Sequence, residues 1–273
     1  MSLNNESPIF VQPTGAALGA EVLNVDLRGT LPAAMIAIIK QAMLDHCALF
    51  FRNQQITEQQ QVDFTKHFGP AVPHVRKQPD RPVKEIFVVS NVKKNGEEIG
   101  ALGNTEIGFH SDLSYLKKPG TYSLLYAVEI PRVGGNTQWI NSYAAYDALD
   151  DDMKQRLDGL RAVHRHYVEE QNPPELVDHP VVRTHPESGR QCLYVGPHLT
   201  KSIVGLSDTE GRAILDRLFE HQAQPQFIWT HDWQIGDLVI WDNRPTLHRR
   251  LHFPPTERRL LLRTQVYGDE IPV

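Results

Sequence analysis

The chain has 273 residues, of which 40% are hydrophobic and 22% charged, and its formal net charge is −5 at pH 7. These values are typical of an ordinary globular protein, and they exclude the basic surface with which proteins bind nucleic acids or anionic membranes. No stretch reaches the roughly 18 unbroken apolar residues of a membrane span, so we expect neither a nucleic acid nor a membrane as a partner.

Helices are predicted at four places along the chain. Apolar residues recur at helical spacing in 31–46, 57–69, 142–160 and 209–222. Pro32 suits a first helical turn, Thr57 suits a helix start and Gly69 suits a helix end. The alanines and spaced leucines of the third segment predict a pair of helices.

Strands are predicted around and beyond these helices. Segment 10–27 contains strand-like pieces interrupted by proline and glycine, and 47–52 and 85–92 have the apolar character of strands. Further short strands recur over 85–140 and 180–268. Because the order is not a regular βαβ alternation and contains no GxGxxG or GxxxxGK[ST], it argues against a nucleotide-binding parallel sheet. We expect one α+β domain over 1–273, a sandwich or jelly roll with helices packed outside.

The cysteines and the first residues bear on the cellular compartment. Cys47 and Cys192 lie far apart without a CxxC motif, which predicts two reduced thiols. The start MSLNNESPIF lacks the positive region and the apolar run of a signal peptide. We therefore expect a cytoplasmic protein.

The stretch GFHSDLSY, residues 108–115, places His110 and Asp112 two apart in a segment with strand character. Two residues along a strand return to the same face, so the imidazole and the carboxylate would face one space. A second histidine would complete a 2-His-1-carboxylate site, which binds Fe(II) and leaves positions open for a cosubstrate and dioxygen. His248, which follows the strand-like run VIWDN, is the candidate.

On spacing alone, other interpretations of this stretch stay open. An isolated H-x-D is often a histidine satisfied by a neighbouring hydrogen bond, and zinc is chemically possible although it usually recruits more His or Cys. Ser111 would permit a hydrolase. However, the motif G-x-S-x-G is absent, and on a strand Ser111 would point away from its two neighbours.

Two arginines follow His248 at positions 259 and 263. Their even spacing puts Arg259 and Arg263 on the same side of a strand. A guanidinium binds a carboxylate with two parallel hydrogen bonds, so two inward arginines could hold a dicarboxylate cosubstrate and an acidic substrate. Next to Glu257 and Arg258 they could equally be solvated surface residues, and the pattern alone does not decide.

Ordered motifs over nearly the whole length resemble the TauD/TfdA family of Fe(II)- and 2-oxoglutarate-dependent dioxygenases. They are LGAEVLNVDL, LFFRNQQIT, FTKHFGP, FHSDLSY, YAVEIPRVGGNTQW, AAYDAL, GDLVIWDNRPTLHR and RRLLLRT. The resemblance implies a double-stranded β-helix (jelly-roll) core with flanking α-helices. It also implies Fe(2+), 2-oxoglutarate and O2 as cofactor and cosubstrates. The implied reaction is hydroxylation of a small sulfonate, carboxylate or amino-acid-like substrate, with succinate and CO2 as co-products.

The resemblance also implies roles for single residues. The implied iron ligands are His110, Asp112 and His248. The implied 2-oxoglutarate contacts are Thr137 and Arg259. The implied contact to an acidic group of the substrate is Arg263, and His74 is an implied substrate-side histidine. The motif residues Trp241, Asp242 and Asn243 are expected to support the distal histidine. The remaining histidines are expected to be surface or core residues.

Two positions depart from the family pattern. Phe109 stands where many members have Trp before the histidine, which we interpret as a conservative change in a wall residue of the substrate site. Glu106 puts a carboxylate where the taurine enzyme has an amide. A buried carboxylate near iron is costly unless it is paired, so Glu106 either faces solvent or meets a cation. A substrate with both an acidic and an ammonium group would suit Arg263 and Glu106 together.

The resemblance leaves the outcome of the chemistry open. The same cofactors could perform desaturation or another oxidation in a biosynthetic pathway, and a metal-binding jelly roll without turnover is a further alternative. Asp112 favours hydroxylation, because related halogenases lack this carboxylate. A dimer or tetramer is expected, because family members are often homo-oligomers.

Overall fold

The structure, a computed structural model, describes residues 8–76, 78–103 and 107–273. Within these ranges the α-helices are α1 (Ala33–His46), α2 (Glu58–Thr65), α3 (Ser142–Asp147), α4 (Asp151–Leu157) and α5 (Asp208–Gln222). Short 3-10 helices lie at Glu169–Gln171 and Pro225–Phe227. Every predicted helical segment contains a helix, and 142–160 contains the predicted pair.

The start of α2 illustrates how the local sequence sets a helix boundary. The Thr57 side chain accepts a hydrogen bond from the backbone N–H of Gln60, and the Gln60 side chain accepts one from the backbone N–H of Thr57. This reciprocal pair satisfies two backbone donors that the helix itself leaves free. The helix ends at Thr65, before the predicted end at Gly69, and Thr65 contacts Thr264 of the neighbouring sheet through a 2.7 Å hydroxyl–hydroxyl hydrogen bond.

The strands of the described residues follow in chain order. The first nine are β1 (Phe10–Pro13), β2 (Ala20–Leu23), β3 (Ala48–Phe51), β4 (Phe87–Ser90), β5 (Lys93–Lys94), β6 (Glu97–Glu98), β7 (Ala101–Leu102), β8 (Ile107–His110) and β9 (Gly120–Glu129). The others are β10 (Thr137–Asn141), β11 (Arg161–His164), β12 (Val177–Pro180), β13 (Val182–Thr184), β14 (Gln191–Leu193), β15 (Thr200–Ile203), β16 (Ile228–His231), β17 (Leu238–Asp242), β18 (Thr246–Arg250) and β19 (Leu260–Tyr267).

Two sheets position the candidate site. The large sheet has the strand order β1-β2-β3-β17-β9-β19-β4-β7, and the small sheet has the order β16-β10-β18-β8. The small sheet is antiparallel throughout, and in the large sheet the β2–β3 and β4–β7 pairs are parallel. Neighbouring strands are mostly remote in sequence, so residues far apart along the chain meet in space.

Alternation along β17 shows how the layers are packed. Leu238 and Ile240 face a core shared with helix α1, whereas Val239 and Trp241 face a core between the two sheets. Trp139 of the small sheet stacks on Trp229 with ring centroids 5.0 Å apart, which fills this second core. A third core lies between the other face of the small sheet and helices α3, α4 and α5. The period of two along a strand thus divides apolar residues between adjacent layers.

The mixed α/β architecture, mostly sheet with few helices, agrees with the predicted class. The more specific jelly-roll assignment stays a prediction. Cys47 and Cys192 are free, as predicted, and both are buried. None of the described helices is long and apolar enough to cross a membrane.

Candidate metal centre and its cavities

The two histidines of the predicted metal site are direct neighbours in the small sheet. His110 ends β8 and pairs with His248 of β18, and their ring centroids are 4.2 Å apart. Asp112 lies beside both, with Oδ1 3.8 Å from His110 Nε2 and Oδ2 3.9 Å from His248 Nε2. One ligand atom from each of the three residues lies within 4.8 Å of the others. A single cation between them can therefore contact all three.

The structure corrects the expectation that His110 and Asp112 share a strand. Strand β8 ends at His110, and Asp112 belongs to the turn that follows, where Leu113 has a φ of +60°. The carboxylate reaches the histidines because the turn is fixed by long-range hydrogen bonds. Ser123 donates to Asp112 Oδ2 at 2.7 Å, and the Asp112 backbone N–H donates to Asn243 Oδ1 at 3.3 Å.

Asn243 holds the first half of this turn. Its Oδ1 also accepts from Trp241 Nε1 at 2.9 Å, and its Nδ2 donates to Ser123 Oγ at 3.0 Å. The backbone carbonyl of Asn243 accepts from Ser111 Oγ at 2.7 Å, so this serine is engaged in structure rather than exposed. Hydrogen bonds of this type orient metal-ligating side chains, here that of Asp112.

Two buried histidines hold the second half of the turn. His179 Nε2 donates to the carbonyls of Ser114 at 2.9 Å and Leu116 at 3.1 Å. His164 Nδ1 lies 3.0 Å from Ser114 Oγ. Both rings belong to a separate three-stranded antiparallel sheet with the strand order β12-β11-β15. The turn that presents Asp112 is therefore fixed from both sides.

The protonation states of the triad suit a divalent cation. His110 Nδ1 donates to the Gly108 carbonyl at 2.8 Å, which leaves the Nε2 lone pair facing Asp112. Burial lowers the pKa of His110, and burial and then His110 lower the pKa of His248 to about 3. Burial alone would raise the pKa of Asp112, but Arg263 and the two histidines outweigh it and hold the pKa well below its usual range. Two neutral imidazoles and one ionised carboxylate are the donor set of a non-haem Fe(II) site.

On one side of the triad lies a small cavity, here called the inner cavity. Thr137, Arg250, Arg259 and the two metal-site histidines line it. Arg259 is 2% exposed, its Nε donates to the Gly135 carbonyl at 3.2 Å, and no carboxylate of the described residues lies within ion-pair distance of it. Burial and the neighbouring Arg250 lower the pKa of Arg259 to about 9, so it stays charged at neutral pH. The inner cavity is therefore a buried cationic site that suits a carboxylate.

Thr137 contributes a hydroxyl to the inner cavity. Its Oγ1 accepts a 3.0 Å hydrogen bond from Trp233 Nε1, so its own hydrogen is available to donate to a ligand. Gly135 lies beside the Arg259 side chain with a φ of +72°, and a Cβ there would lie 2.8 Å from the Pro131 ring. The stretch GGNT, residues 134–137, thus provides the Thr137 hydroxyl and a glycine that lets the backbone lie close to the Arg259 side chain.

On the other side of the triad lies a larger cavity of about 450 Å³, here called the outer cavity. His74, Arg263, His110 and Asp112 line its inner end. Arg263 Nη1 lies 3.3 Å from Asp112 Oδ1, and Arg263 Nη2 lies 2.6 Å from His74 Nε2. The predicted substrate residues Arg263 and His74 therefore meet directly beside the metal site.

Two further predicted residues do not join the site. Phe109 packs in the third core, with the Arg249 guanidinium carbon 4.4 Å from its ring centroid, and does not line either cavity. The wall-residue expectation is thus corrected, because positions 109 and 110 of β8 point to opposite faces. Glu106 lies outside the described residues.

The cavities also contain residues that the sequence analysis did not single out. Arg250 follows His248 by two positions on β18, and this even spacing was a signal for a common face. His198 lies in the outer cavity with its ring 5.4 Å from that of His110, and burial lowers its pKa to about 4. No spacing in the sequence connects His198 to the site, because it arrives from a separate loop.

Comparisons with known proteins agree with this geometry. The family model described as "Taurine catabolism dioxygenase TauD, TfdA family" matches residues 11–265. The α-ketoglutarate-dependent 2,4-dichlorophenoxyacetate dioxygenase of Burkholderia sp. (strain RASC) is 36% identical, over 98% of this chain and 95% of its own. A crystal structure of a taurine dioxygenase from Burkholderia xenovorans matches with a TM-score of 0.85 at 37% identity, over 98% of this chain and 91% of that one. The crystal structure of AAD-2 in complex with Mn(II) and N-oxalylglycine matches with a TM-score of 0.83 at 32% identity, over 98% of this chain and 100% of that one. This chain therefore belongs to the TauD/TfdA family of Fe(II)- and 2-oxoglutarate-dependent dioxygenases.

Proposed function

We propose that this chain, as a single domain, hydroxylates a small anionic substrate, with His110, Asp112 and His248 as the Fe(II) ligands. Fe(II), 2-oxoglutarate and O2 together supply the oxidising chemistry, with succinate and CO2 as co-products. The observation that supports this most is the triad of two neutral imidazoles and one carboxylate, with an arginine-lined cavity on each side.

The inner cavity is proposed as the 2-oxoglutarate site. The cosubstrate is a dianion whose far carboxylate needs a buried cation. Arg259 has that charge and lacks a carboxylate partner among the described residues, and Thr137 adds a hydroxyl donor. A carboxylate on Arg259 would stabilise a charge that is otherwise costly to bury, which favours the bound state.

The contact between His74 and Arg263 supports an anionic substrate. The backbone N–H of Arg76 donates to His74 Nδ1 at 2.9 Å, and burial and Arg263 lower the pKa of His74 to about 2. The neutral ring therefore has its hydrogen on Nε2, which faces Arg263 Nη2 at 2.6 Å. Two donors that face each other require an acceptor between them. An oxygen of a carboxylate, sulfonate or sulfate would satisfy both once the two side chains move apart to make room for it.

The remainder of the outer cavity suits an apolar substrate body. Phe87, Leu102, Ile107, Leu113, Tyr115 and Leu199 line it. Its volume of about 450 Å³ is in the range of small-molecule sites. An anion at the inner end would hold the adjoining carbon close to the metal, so that carbon is the proposed site of hydroxylation.

A substrate panel tests this proposal. Purified protein with Fe(II), 2-oxoglutarate and O2 is incubated with sulfonates, phenoxy acids, amino acids and betaines, and succinate is measured. We expect substrate-dependent succinate with at least one anionic compound, and no such succinate with the Asp112→Ala variant. Binding of Fe(II) without succinate from any compound would contradict the proposal and favour a metal-binding protein without turnover.

The mass of the product separates hydroxylation from the alternative oxidation. Gain of one oxygen, or a fragment that follows from it, supports hydroxylation, whereas loss of two hydrogens would indicate desaturation. A homo-dimer or homo-tetramer stays a prediction, which light scattering during size-exclusion chromatography tests.

A further inference from the structure

Arg76 lies at the outer end of the outer cavity, and its charge has no acidic partner among the described residues. Its side chain is half-buried and lines the cavity. Nη2 donates to the Tyr167 hydroxyl at 2.9 Å and lies 3.5 Å from His166 Nε2. The one described carboxylate in the cavity lining is Asp112, which is already paired with Arg263. The charge of Arg76 is thus available to a ligand.

The groups around Arg76 are also hydrogen-bond donors. His166 Nδ1 accepts from the Val168 backbone N–H at 3.0 Å, and in the neutral tautomer that makes this hydrogen bond the ring hydrogen lies on Nε2. His166 Nε2–H and the Arg76 guanidinium then face each other as two donors, as His74 and Arg263 do. The Tyr167 hydroxyl accepts from Arg76 and keeps its own hydrogen. Arg76, His166 and Tyr167 therefore each bring a donor hydrogen to this point, and no carboxylate of the described residues lies within ion-pair distance of Arg76.

The position of this cluster relative to the metal follows from a row of aromatic rings. The ring of His198 is 5.4 Å from that of His110, and the ring of Tyr167 is 5.2 Å from that of His198. Tyr167 is 55% exposed, which marks the mouth of the cavity. Arg76 binds Tyr167 there, so along this row of rings His198 lies between the cluster and the metal-site residue His110.

We propose that Arg76, His166 and Tyr167 form a second anion-binding point, and that preferred substrates have two acidic groups separated by an apolar body. This inference rests on the proposed function, in which His74 and Arg263 hold the acidic group next to the metal. The cavity lining contains both of these groups together with the apolar side chains of Phe87, Leu102 and Leu199. Arg76 is then a specificity-determining residue that touches the substrate at its far end, away from the reacting carbon.

Three ligands of the same shape test the inference. They are phenoxyacetate, 4-carbamoylphenoxyacetate and 4-carboxyphenoxyacetate, whose far ends are apolar, polar and anionic. Their binding to the full chain with Fe(II) and 2-oxoglutarate is measured by calorimetry without oxygen, which prevents turnover. We expect the 4-carboxy compound to bind about tenfold tighter than the 4-carbamoyl compound, because a charge-assisted hydrogen-bonded pair is stronger than a neutral one.

Variants assign this preference to Arg76. Arg76→Gln is expected to reduce the advantage of the 4-carboxy compound to about twofold or less. The matched control is Arg81→Gln, which removes the same charge from the same loop but outside the outer cavity, where Arg81 pairs with Glu58. The control is expected to retain the full preference.

Three results would overturn the inference: equal binding of the 4-carboxy and 4-carbamoyl compounds, an unchanged preference in Arg76→Gln, or no binding of any of the three. A failure here is distinguishable from a failure of the proposed function. If the panel yields succinate but the second acid gives no advantage, only the second anion-binding point is wrong. If no compound yields succinate, the proposed function itself is wrong.

Discussion

Replacement of Arg259 by glutamine tests the assignment of the inner cavity. Arg259 is 2% exposed, and among the described residues its two terminal nitrogens have no acceptor. If the far carboxylate of 2-oxoglutarate binds there, the ligand accepts two charge-assisted hydrogen bonds in a buried site. Glutamine fits the space but offers at most one neutral donor.

The expected size of the effect follows from these contacts. Hydrogen bonds to charged groups contribute about 1.5–3 kcal/mol each, and a neutral one about 1 kcal/mol. The net loss is therefore about 3 kcal/mol, or roughly a hundredfold in the dissociation constant of 2-oxoglutarate. The protein without 2-oxoglutarate should not lose stability, because burial already disfavours this charge and lowers the pKa of Arg259.

Calorimetric titration with 2-oxoglutarate in the presence of Fe(II) and absence of oxygen measures the dissociation constant. The matched control is Arg258→Gln, one position earlier, where the side chain is 60% exposed and pairs with Glu129. We expect the control to bind 2-oxoglutarate like the unaltered protein. A change of less than about threefold in Arg259→Gln, or an equal change in both variants, would refute the assignment.

Three further substitutions test the surroundings of the metal. Asp112→Asn leaves the buried Arg263 without its carboxylate partner and should lower the free energy of unfolding by about 3 kcal/mol in urea, so a loss below about 1 kcal/mol would contradict the pairing. His179→Leu removes the donor to two carbonyls of the Asp112 turn and should weaken Fe(II) binding about tenfold in equilibrium dialysis, so unchanged affinity would show that the turn does not need it. Burial would raise the pKa of Asp242, but Arg244 and other partners lower this pKa to about 2. The ionised Asp242 therefore stabilises the fold fully above pH 3.8, the ordinary pKa of aspartate, and this stabilisation is lost as the pH falls toward 2. Asp242→Asn should therefore flatten the decline of unfolding free energy between about pH 4 and pH 2, and an unchanged slope would contradict this.

Local patterns in the sequence were sufficient to locate the helices and several of the strands. Helical spacing and the Thr57 start located α2, and apolar runs located β3 and β4. The even spacing of Arg259 and Arg263 predicted a common side of a strand, and both side chains line the inner cavity, although β19 begins at Leu260, one residue after Arg259.

The same rule explains the error at Phe109. Phe109 lies one position before His110 on β8, so its side chain faces the opposite layer. The wall-residue prediction followed the family resemblance and did not apply this alternation. The strand assigned to Asp112 failed for a different reason. The turn that contains Asp112 is fixed by hydrogen bonds to Ser123 and Asn243. Both residues are distant in sequence, so the local sequence around Asp112 does not predict these contacts.

Several further residues that line the outer cavity were the least predictable. Arg76, His166 and His198 come from separate loops, and only the fold brings them to one wall. The sequence shows that these residues are cationic or titratable, but it does not show that they lie close together. Their positions in loops depend on tertiary packing, which local sequence patterns do not predict.

The central claim, that three side chains hold one metal ion, is tested most directly by anomalous scattering from crystals grown with Mn(II). We expect one strong peak about 2.0–2.2 Å from His110 Nε2, an Asp112 carboxylate oxygen and His248 Nε2. A peak bound elsewhere, or none at these three residues with 2-oxoglutarate present, would contradict the account.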